Sequence, residues 1–287
     1  SIKERRQLDL TPLSSWYVAI TYDERIFSFK GLDKVSLWAL PEGRIVVPIL
    51  YGEYQRERFN RIKGQADLVY RNRRFYLYCT VTVPEAAPVE PSDFLGIDLG
   101  IANIATDSDG MRYSGSTVKA VRYRHRRLRQ KLQHKHTTSA NRRLKKLAGK
   151  EKRFARHVNH VVSKQIVTGA QRTGRGIAIE DLTHIRRRVT ARRSQRAVLH
   201  SWSFGQLRQF LEYKAALTGV AVAIVDPRNS SRECSQCHHV SKANRPNQST
   251  FHCQACGYRT HADFNAAVNL RNRGRAAVNP PDAAVGF

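Results

Sequence analysis

Acidic residues are scarce in this chain. Only 23 of its 287 residues are Asp or Glu, against 50 Lys or Arg, and the formal charge is +27. An excess of that size needs a neutralising partner, and the phosphate backbone of a nucleic acid is the usual one. Long apolar runs are lacking too. No stretch approaches the roughly 18 apolar residues of a membrane-spanning helix, and neither a signal peptide nor an amphipathic anchor with a clean basic face is present. These absences favour nucleic acid over a membrane surface as the partner. Cysteines number five, four of them in two CxxC pairs with Cys79 alone, which suits a reducing compartment and a metal site better than a secreted disulfide scaffold. Internal repeats are absent. A hydrophobic content of 41% excludes general disorder, and the length suits one large domain with one or two smaller ones. The chain begins with Ser1, and the expectation is that it is processed, truncated or the ordered part of a longer protein.

Residues 14–83 read as β-rich. Ser15–Thr21, Gly43–Ile49 and Arg74–Val83 are dense in aromatic and β-branched residues, with turn material such as Pro41-Glu-Gly43 between them. Pro84–Pro91 reads as an extended linker. Phe94–Gly100 then opens a β-meander that continues through Ile101–Ala105 and Met111–Tyr113. From Lys119 to about Ala170 the pattern is long helix, broken near Thr137–Ser139. Between Lys119 and Arg156 there are sixteen Lys/Arg and one acid, Glu151. Leu128, Leu132, Leu144, Leu147 and Phe154 recur within it, so one face packs and the basic hairpin is presented to a polyanion. Its candidate contacts are Arg122, Arg126, Arg127, Arg129, Lys131, Arg142, Arg143, Lys145 and Lys146. A second basic loop adds Arg186, Arg187, Arg188, Arg192 and Arg193. Buried strands at Gly176–Leu182 and Val220–Val225 flank an amphipathic helix from Ser203 to Leu217, and a last helix runs from about Ala262 to Arg271.

Cys234-Ser-Gln-Cys237 and Cys253-Gln-Ala-Cys256, fifteen residues apart, place four thiolates on two knuckles and suit tetrahedral Zn2+. An iron site or two disulfides are the alternatives. Four thiolates leave no open position, so the metal is structural, and His238, His239, His252 and His261 are read as surface or supporting residues.

Three acids stand out. Asp98 shares its strand face with Gly96, a glycine that leaves room for a ligand or phosphate, while Leu95 and Ile97 face the core. Glu180 shares its face with Ala178 in the same way, and Asp263 opens a helix with Ala266, Ala267 and Leu270 on its own side. Each acid alone reads equally well as a strand terminator or an N-cap. Together they can converge on one point and hold two Mg2+ or Mn2+, which prefer hard oxygen ligands, activate water and stabilise a leaving oxygen. Asp181 points to the opposite strand face.

At these residues the chain resembles the TnpB-type RNA-guided nucleases, transposon-encoded relatives of the type V CRISPR effectors. Phe94-Leu-Gly-Ile-Asp-Leu-Gly100, Ile177-Ala-Ile-Glu-Asp-Leu182 and Asp263-Phe-Asn-Ala-Ala-Val-Asn269 match the three acidic motifs in order, and Val225–Cys237 is similar to the approach to the family's zinc ribbon. The match runs from about residue 40 to 272. The resemblance implies an α/β fold: an RNase H-like, RuvC-type nuclease domain with a zinc-ribbon insertion, preceded by a β-rich wedge-like domain. It places an incomplete wedge at 1–83, a linker at 84–93, the nuclease domain with its hairpin (119–170) at 94–226, the ribbon at 227–259, the final nuclease helix at 260–275 and a tail at 276–287. About a hundred residues of the family's N-terminal region have no counterpart.

Further implications are Asp98, Glu180 and Asp263 as the catalytic triad, a guide RNA from a transposon end and target DNA as partners, and a cytoplasmic, nucleoid-associated setting in a bacterium or archaeon. The reading is an RNA-guided DNA endonuclease. A guide-RNA/DNA-binding protein without productive cleavage is the alternative, and a DNA-pasting transposase fits poorly because the ribbon sits just before the third acid.

Overall fold

A computed structural model describes residues 19–71, 74–182 and 204–278. The chain forms two units, Ser1–Pro84 and Glu85–Phe287. In the first, β1 (Ala19–Tyr22), β2 (Phe27–Lys30), β3 (Lys34–Ala39) and β4 (Gly43–Pro48) are followed by a one-turn helix α1 (Glu53–Arg56), β5 (Ile62–Arg71) and β6 (Arg74–Val81). Two antiparallel three-stranded sheets result, in the orders β1-β5-β6 and β2-β3-β4. The alternation in β4 shows why: Ile45 and Val47 turn toward the core while Arg44 and Val46 face solvent. Tyr22, Phe27, Val35, Leu37 and Ala66 form that core. Gly43, at φ +79°, supplies the left-handed residue at the turn from β3 to β4.

The second unit begins with a strap. The segment read as an extended linker is held along its backbone: Ala86 N–H donates to Ala216 O at 3.2 Å, Val89 N–H to Gly219 O at 3.0 Å and Ser92 N–H to Gly174 O at 3.1 Å. Prolines at 84, 88 and 91 keep it extended, so it lies as one layer over the unit.

Five strands then make a mixed sheet: β7 (Phe94–Leu99), β8 (Asn103–Asp107), β9 (Arg112–Ser114), β10 (Gly176–Glu180) and β11 (Val222–Val225), in the order β11-β10-β7-β8-β9. β7, β8 and β9 are the antiparallel meander, and β10 and β11 add in parallel through helical crossovers. The helices are α2 (Ser116–Gln133), α3 (Thr138–Arg172) and α4 (Phe204–Thr218). The break between α2 and α3 is chemical: Thr137 accepts the Ala140 N–H at 3.2 Å as an N-cap, directly after His136 in the left-handed region. The 35 residues of α3 span about 52 Å, so its first half pairs with α2 and its second half enters the core.

Strand parity separates the two faces of this sheet. Leu95, Ile97, Leu99, Ile177 and Ile179 point to one side, where Val162, Ile166 and Ala170 of α3 and Leu207, Leu211 and Ala215 of α4 cover them. On the other side Gly96 and Ala178 receive the last helix, α5 (Ala262–Val278). A Cβ on Gly96 would stand 1.9 Å from Ala267 O and 2.5 Å from Arg271 N. A Cβ on Gly274 of the helix would stand 2.6 Å from the Ala178 Cβ. The glycine beside Asp98 therefore makes room for a helix backbone, which corrects the expectation of a space for ligand or phosphate. α5 also extends beyond Arg271, because Gly274 packs on the sheet and Arg275 clamps Asp93, with Nη2 to Oδ2 at 2.7 Å. Gly96→Ala is expected to destabilise the second unit by about 3 kcal/mol or more, since backbone and not a flexible side chain must yield. Urea unfolding checks this, and an unchanged midpoint would refute the close approach.

Candidate active site and four-cysteine centre

β7 and β10 run parallel with Ile179 paired to Ile97, so the next residue on each strand is an acid, Glu180 and Asp98. Parity turns both toward the α5 side, at the C-terminal end of the strands. The two-stranded ribbon β12 (Thr250–His252) and β13 (Arg259–His261) leads directly into α5, and Asp263 falls in its first turn. All three acids line one cavity of about 500 Å³, whose wall also includes Ser230, Ser231 and Arg245.

Two of the three carboxylates are oriented by hydrogen bonds. Glu180 Oε1 accepts the Leu99 N–H at 3.3 Å, and Asp263 Oδ2 accepts from Asn103 Nδ2 at 3.1 Å. Burial pushes Asp98 well above the usual carboxylate range, and Glu180 and Asp263 push it further, while Arg245 acts the other way. Burial also lifts Glu180 to about 7. Acids held this close in a site with few cations favour protons or a bound cation over bare charge. Asp181 is engaged elsewhere: its Oδ1 accepts from Arg208 Nη1 at 2.9 Å.

Arg245 and Asn103 escape a reading of the sequence. Arg245 lies between the two CxxC pairs, yet its Nη2 stands 3.7 Å from Asp263 Oδ1. Its neighbour Asn244 is fully buried, donating to Arg232 O and His239 O and accepting the Gln254 N–H at 2.9 Å, so it joins the two knuckles. No local pattern marks an asparagine for that task.

The four cysteine sulfurs lie within 4.8 Å of one another, with Cys234–Cys256 at 3.7 Å and Cys237–Cys253 at 3.5 Å. Four sulfurs about 2.3 Å from a central ion stand roughly 3.8 Å apart, so the cluster fits a tetrahedral ion such as zinc. Disulfides, with sulfurs about 2.05 Å apart, do not fit. Among the described residues none of the neighbouring histidines joins the cluster; His238 Nδ1 pairs with Glu233 at 3.0 Å instead.

The basic hairpin divides. Arg126, Arg127, Lys131, Arg142, Arg143, Lys145 and Lys146 are exposed. Arg122 and Arg129 turn inward to Glu151, at 3.8 and 3.0 Å, and help to bind α2 to α3 instead of facing a polyanion. Arg186, Arg187, Arg188, Arg192 and Arg193 lie outside the described residues. Among the described residues no helix is long and apolar enough to cross a membrane.

A second cavity, of about 920 Å³, lies between the β8–β9 turn and the end of α3 and holds none of the three acids. Its own carboxylates are occupied: Asp109 takes Arg175 at 2.8 Å, and Asp107 accepts the Met111 N–H at 2.8 Å. It has no comparable reactive cluster.

Two family models match this chain: "Cas12f1-like, TNB domain" over residues 204–270 and "Probable transposase" over 77–185. A CRISPR-associated endodeoxyribonuclease Cas12f1 from Sulfoacidibacillus thermotolerans is 31% identical, across 83% of this chain and 58% of that protein. A TnpB-like protein from Methanocaldococcus jannaschii is 26% identical, across 85% of this chain and 92% of its own length. The solved Cas12f1–sgRNA–target DNA complex aligns with a TM-score of 0.57 at 18% identity, covering 89% of this chain and 59% of that one, a likeness of fold alone. The chain thus spans under two thirds of the Cas12f1 relative it matches. From both family models and these relatives, the chain is a TnpB-type relative of the type V effectors.

Proposed function

We propose that this chain is a metal-dependent, RNA-guided DNA endonuclease whose second unit is an RNase H-like, RuvC-type nuclease carrying a zinc ribbon. One observation carries the reading: acids at positions 98, 180 and 263, from two strands and a helix, meet in one cavity, where burial raises the proton affinity of Asp98 and Glu180. The strand order β11-β10-β7-β8-β9, an antiparallel meander extended by two parallel strands, supports the fold. The printed names of the Cas12f1 and TnpB-like relatives support the class of activity. The first unit serves as the wedge-like part.

Asp98, Glu180 and Asp263 would hold two Mg2+ or Mn2+, which supply an activated water and stabilise the leaving oxygen of a phosphodiester. The chain's own residues set the stage. Leu99 N–H and Asn103 fix one oxygen each of Glu180 and Asp263, so the carboxylates keep a single orientation. Arg245, tethered through Gln248 O at 3.0 Å, sits where its guanidinium can leave Asp263 for a phosphate oxygen as a strand enters. Exposed Arg and Lys on α2 and α3 track the backbone of a guide–target heteroduplex, which base pairing reads. The guide is an RNA from a transposon end, and the setting is the nucleoid of a bacterium or archaeon.

The test is cleavage of a guide-matched duplex in Mg2+ by protein purified with its RNA. A single discrete co-purifying RNA and cleavage lost in Glu180→Ala support the reading. Mixed RNA with no cleavage favours a binding protein. For the hairpin, binding to duplex DNA should weaken with salt at a slope near −0.9 per neutralised phosphate, and reversing Lys145 and Lys146 to Glu should flatten it by roughly 2. A salt-independent affinity would exclude the hairpin as the binding face.

A further inference from the structure

The third acidic motif contains two asparagines that none of the steps above uses, Asn265 and Asn269. Both are buried, at 0% and 2% exposure, on a helix surface otherwise built of Ala266, Ala267 and Leu270. They stand one turn apart and face the chain that leads into the first cysteine knuckle. Asn265 Oδ1 accepts the Ser235 N–H at 3.0 Å, and its Nδ2 donates to Glu233 O at 2.7 Å. Asn269 Nδ2 donates to Glu233 O at 2.8 Å and to Ser230 O at 2.9 Å. One turn on, Arg273 reaches Asp226 O and the Glu233 carboxylate, each at 2.6 Å.

The partners give this ladder its meaning. Ser235 is the second residue of the knuckle, so the N–H that Asn265 holds belongs to the residue directly after Cys234. Ser230 lines the cavity that holds the three acids. One face of α5 therefore grips both the metal knuckle and the wall of the acid site, two residues after Asp263. Asn269 Oδ1 has no hydrogen-bond partner among the described residues, so its amide is kept for the donor alone, although a buried oxygen is left unmet. Asn265 must accept and donate at once. A carboxylate at 265 would set its lone pairs against Glu233 O, and alanine would orphan two backbone groups.

We infer that Asn265 and Asn269 are positioning residues that lock the cysteine knuckle to the Asp263 helix, so that loading of the four-cysteine site and the geometry of the acid cavity change together. The cleavage arm of the test rests on the proposed nuclease reading; the zinc arm does not.

The zinc-loaded full chain and its Asn265→Asp and Asn269→Ala variants are compared in three measurements: zinc loss to a colorimetric chelator, duplex binding, and the Mg2+ concentration at half-maximal cleavage. Expected results are zinc loss about 10- to 100-fold faster and a Mg2+ midpoint raised about tenfold, with binding by the distant hairpin within twofold of the parent. Unchanged zinc loss in both variants overturns the inference. So does a parallel loss of zinc, binding and thermal transition, which would mean that the asparagines only hold the fold. If Asn265→Asp does not fold, Asn269→Ala decides alone, because Asn265 and Arg273 still satisfy Glu233. Should the parent fail to cleave, the nuclease reading falls while zinc loss still judges the lock.

Discussion

Asp98→Asn is expected to lower cleavage by on the order of 10³-fold and, without divalent cations, to make the protein more stable. The first effect follows from losing a ligand oxygen worth several kcal/mol at the transition state. The second follows from burial. Asp98 is pushed well above its ordinary range by desolvation first, then by Glu180 and Asp263, so the fold carries it as an unwelcome charge. Glu180 is raised from 4.5 to about 7, so its share of stability is in place below the lower value and is lost as pH rises through the upper one. The parent without divalent cations should therefore melt lower at pH 8 than at pH 6, and Mg2+ should restore most of the difference. At pH 8 the asparagine variant should melt above its parent and should respond less to Mg2+. Differential scanning fluorimetry at two pH values, with and without Mg2+, measures this. A variant that is less stable than its parent under all four conditions would refute the charge-crowded site.

Loss of the proposed zinc should also damage cleavage, by a different route. The knuckles carry little core of their own: Cys234, Phe251, Cys253 and Ala262, with Tyr258 beside them. So small a cluster does not hold a ribbon closed without its ion, and binding free energy there is folding free energy. Cys253→Ser, or exhaustive chelation, is expected to unfold residues 227–261 locally and to release Arg245 and the start of α5 from the acid cavity. Cleavage should fall at least about 100-fold. Duplex binding should persist, since the hairpin is built from α2 and α3, outside residues 227–261. Protection of ribbon amides from hydrogen exchange, followed with and without chelator, reports the local event. A variant that binds no zinc yet cleaves normally would remove the ribbon from the mechanism.

Much of this site is legible in the chain. Alternation in Leu95-Gly-Ile-Asp98 and Ile177-Ala-Ile-Glu180 tells which face each acid takes, because strand geometry has a period of two. The spacing of the CxxC pairs specifies a four-sulfur cluster, because each short loop brings two sulfurs to one ion. The helical hairpin and its break follow from periodicity and from the N-cap at Thr137. What the sequence leaves open is equally specific. Gly96 reads as space for a ligand, because an absent side chain signals close approach without naming what approaches. Arg122 and Arg129 read with the exposed cations, because charge alone does not say that Glu151 stands across the hairpin. The prolines of 84–91 mark an extended linker, and only the fold shows its backbone finding acceptors on α4 and its turn.

Local sequence by itself determined the faces: the acids on one side of two strands, the thiols on two knuckles, the cations along two helices. Those properties are set within a few residues by φ/ψ periodicity and turn chemistry. Tertiary structure alone decided the partners. Asn103 meets Asp263 across 160 positions, Leu99 meets Glu180 across 81, and Asn265 meets Ser235 across 30. Contacts of that kind depend on how the sheet, ribbon and α5 pack together, and a buried polar side chain shows its purpose only when its hydrogen-bond partner is in place.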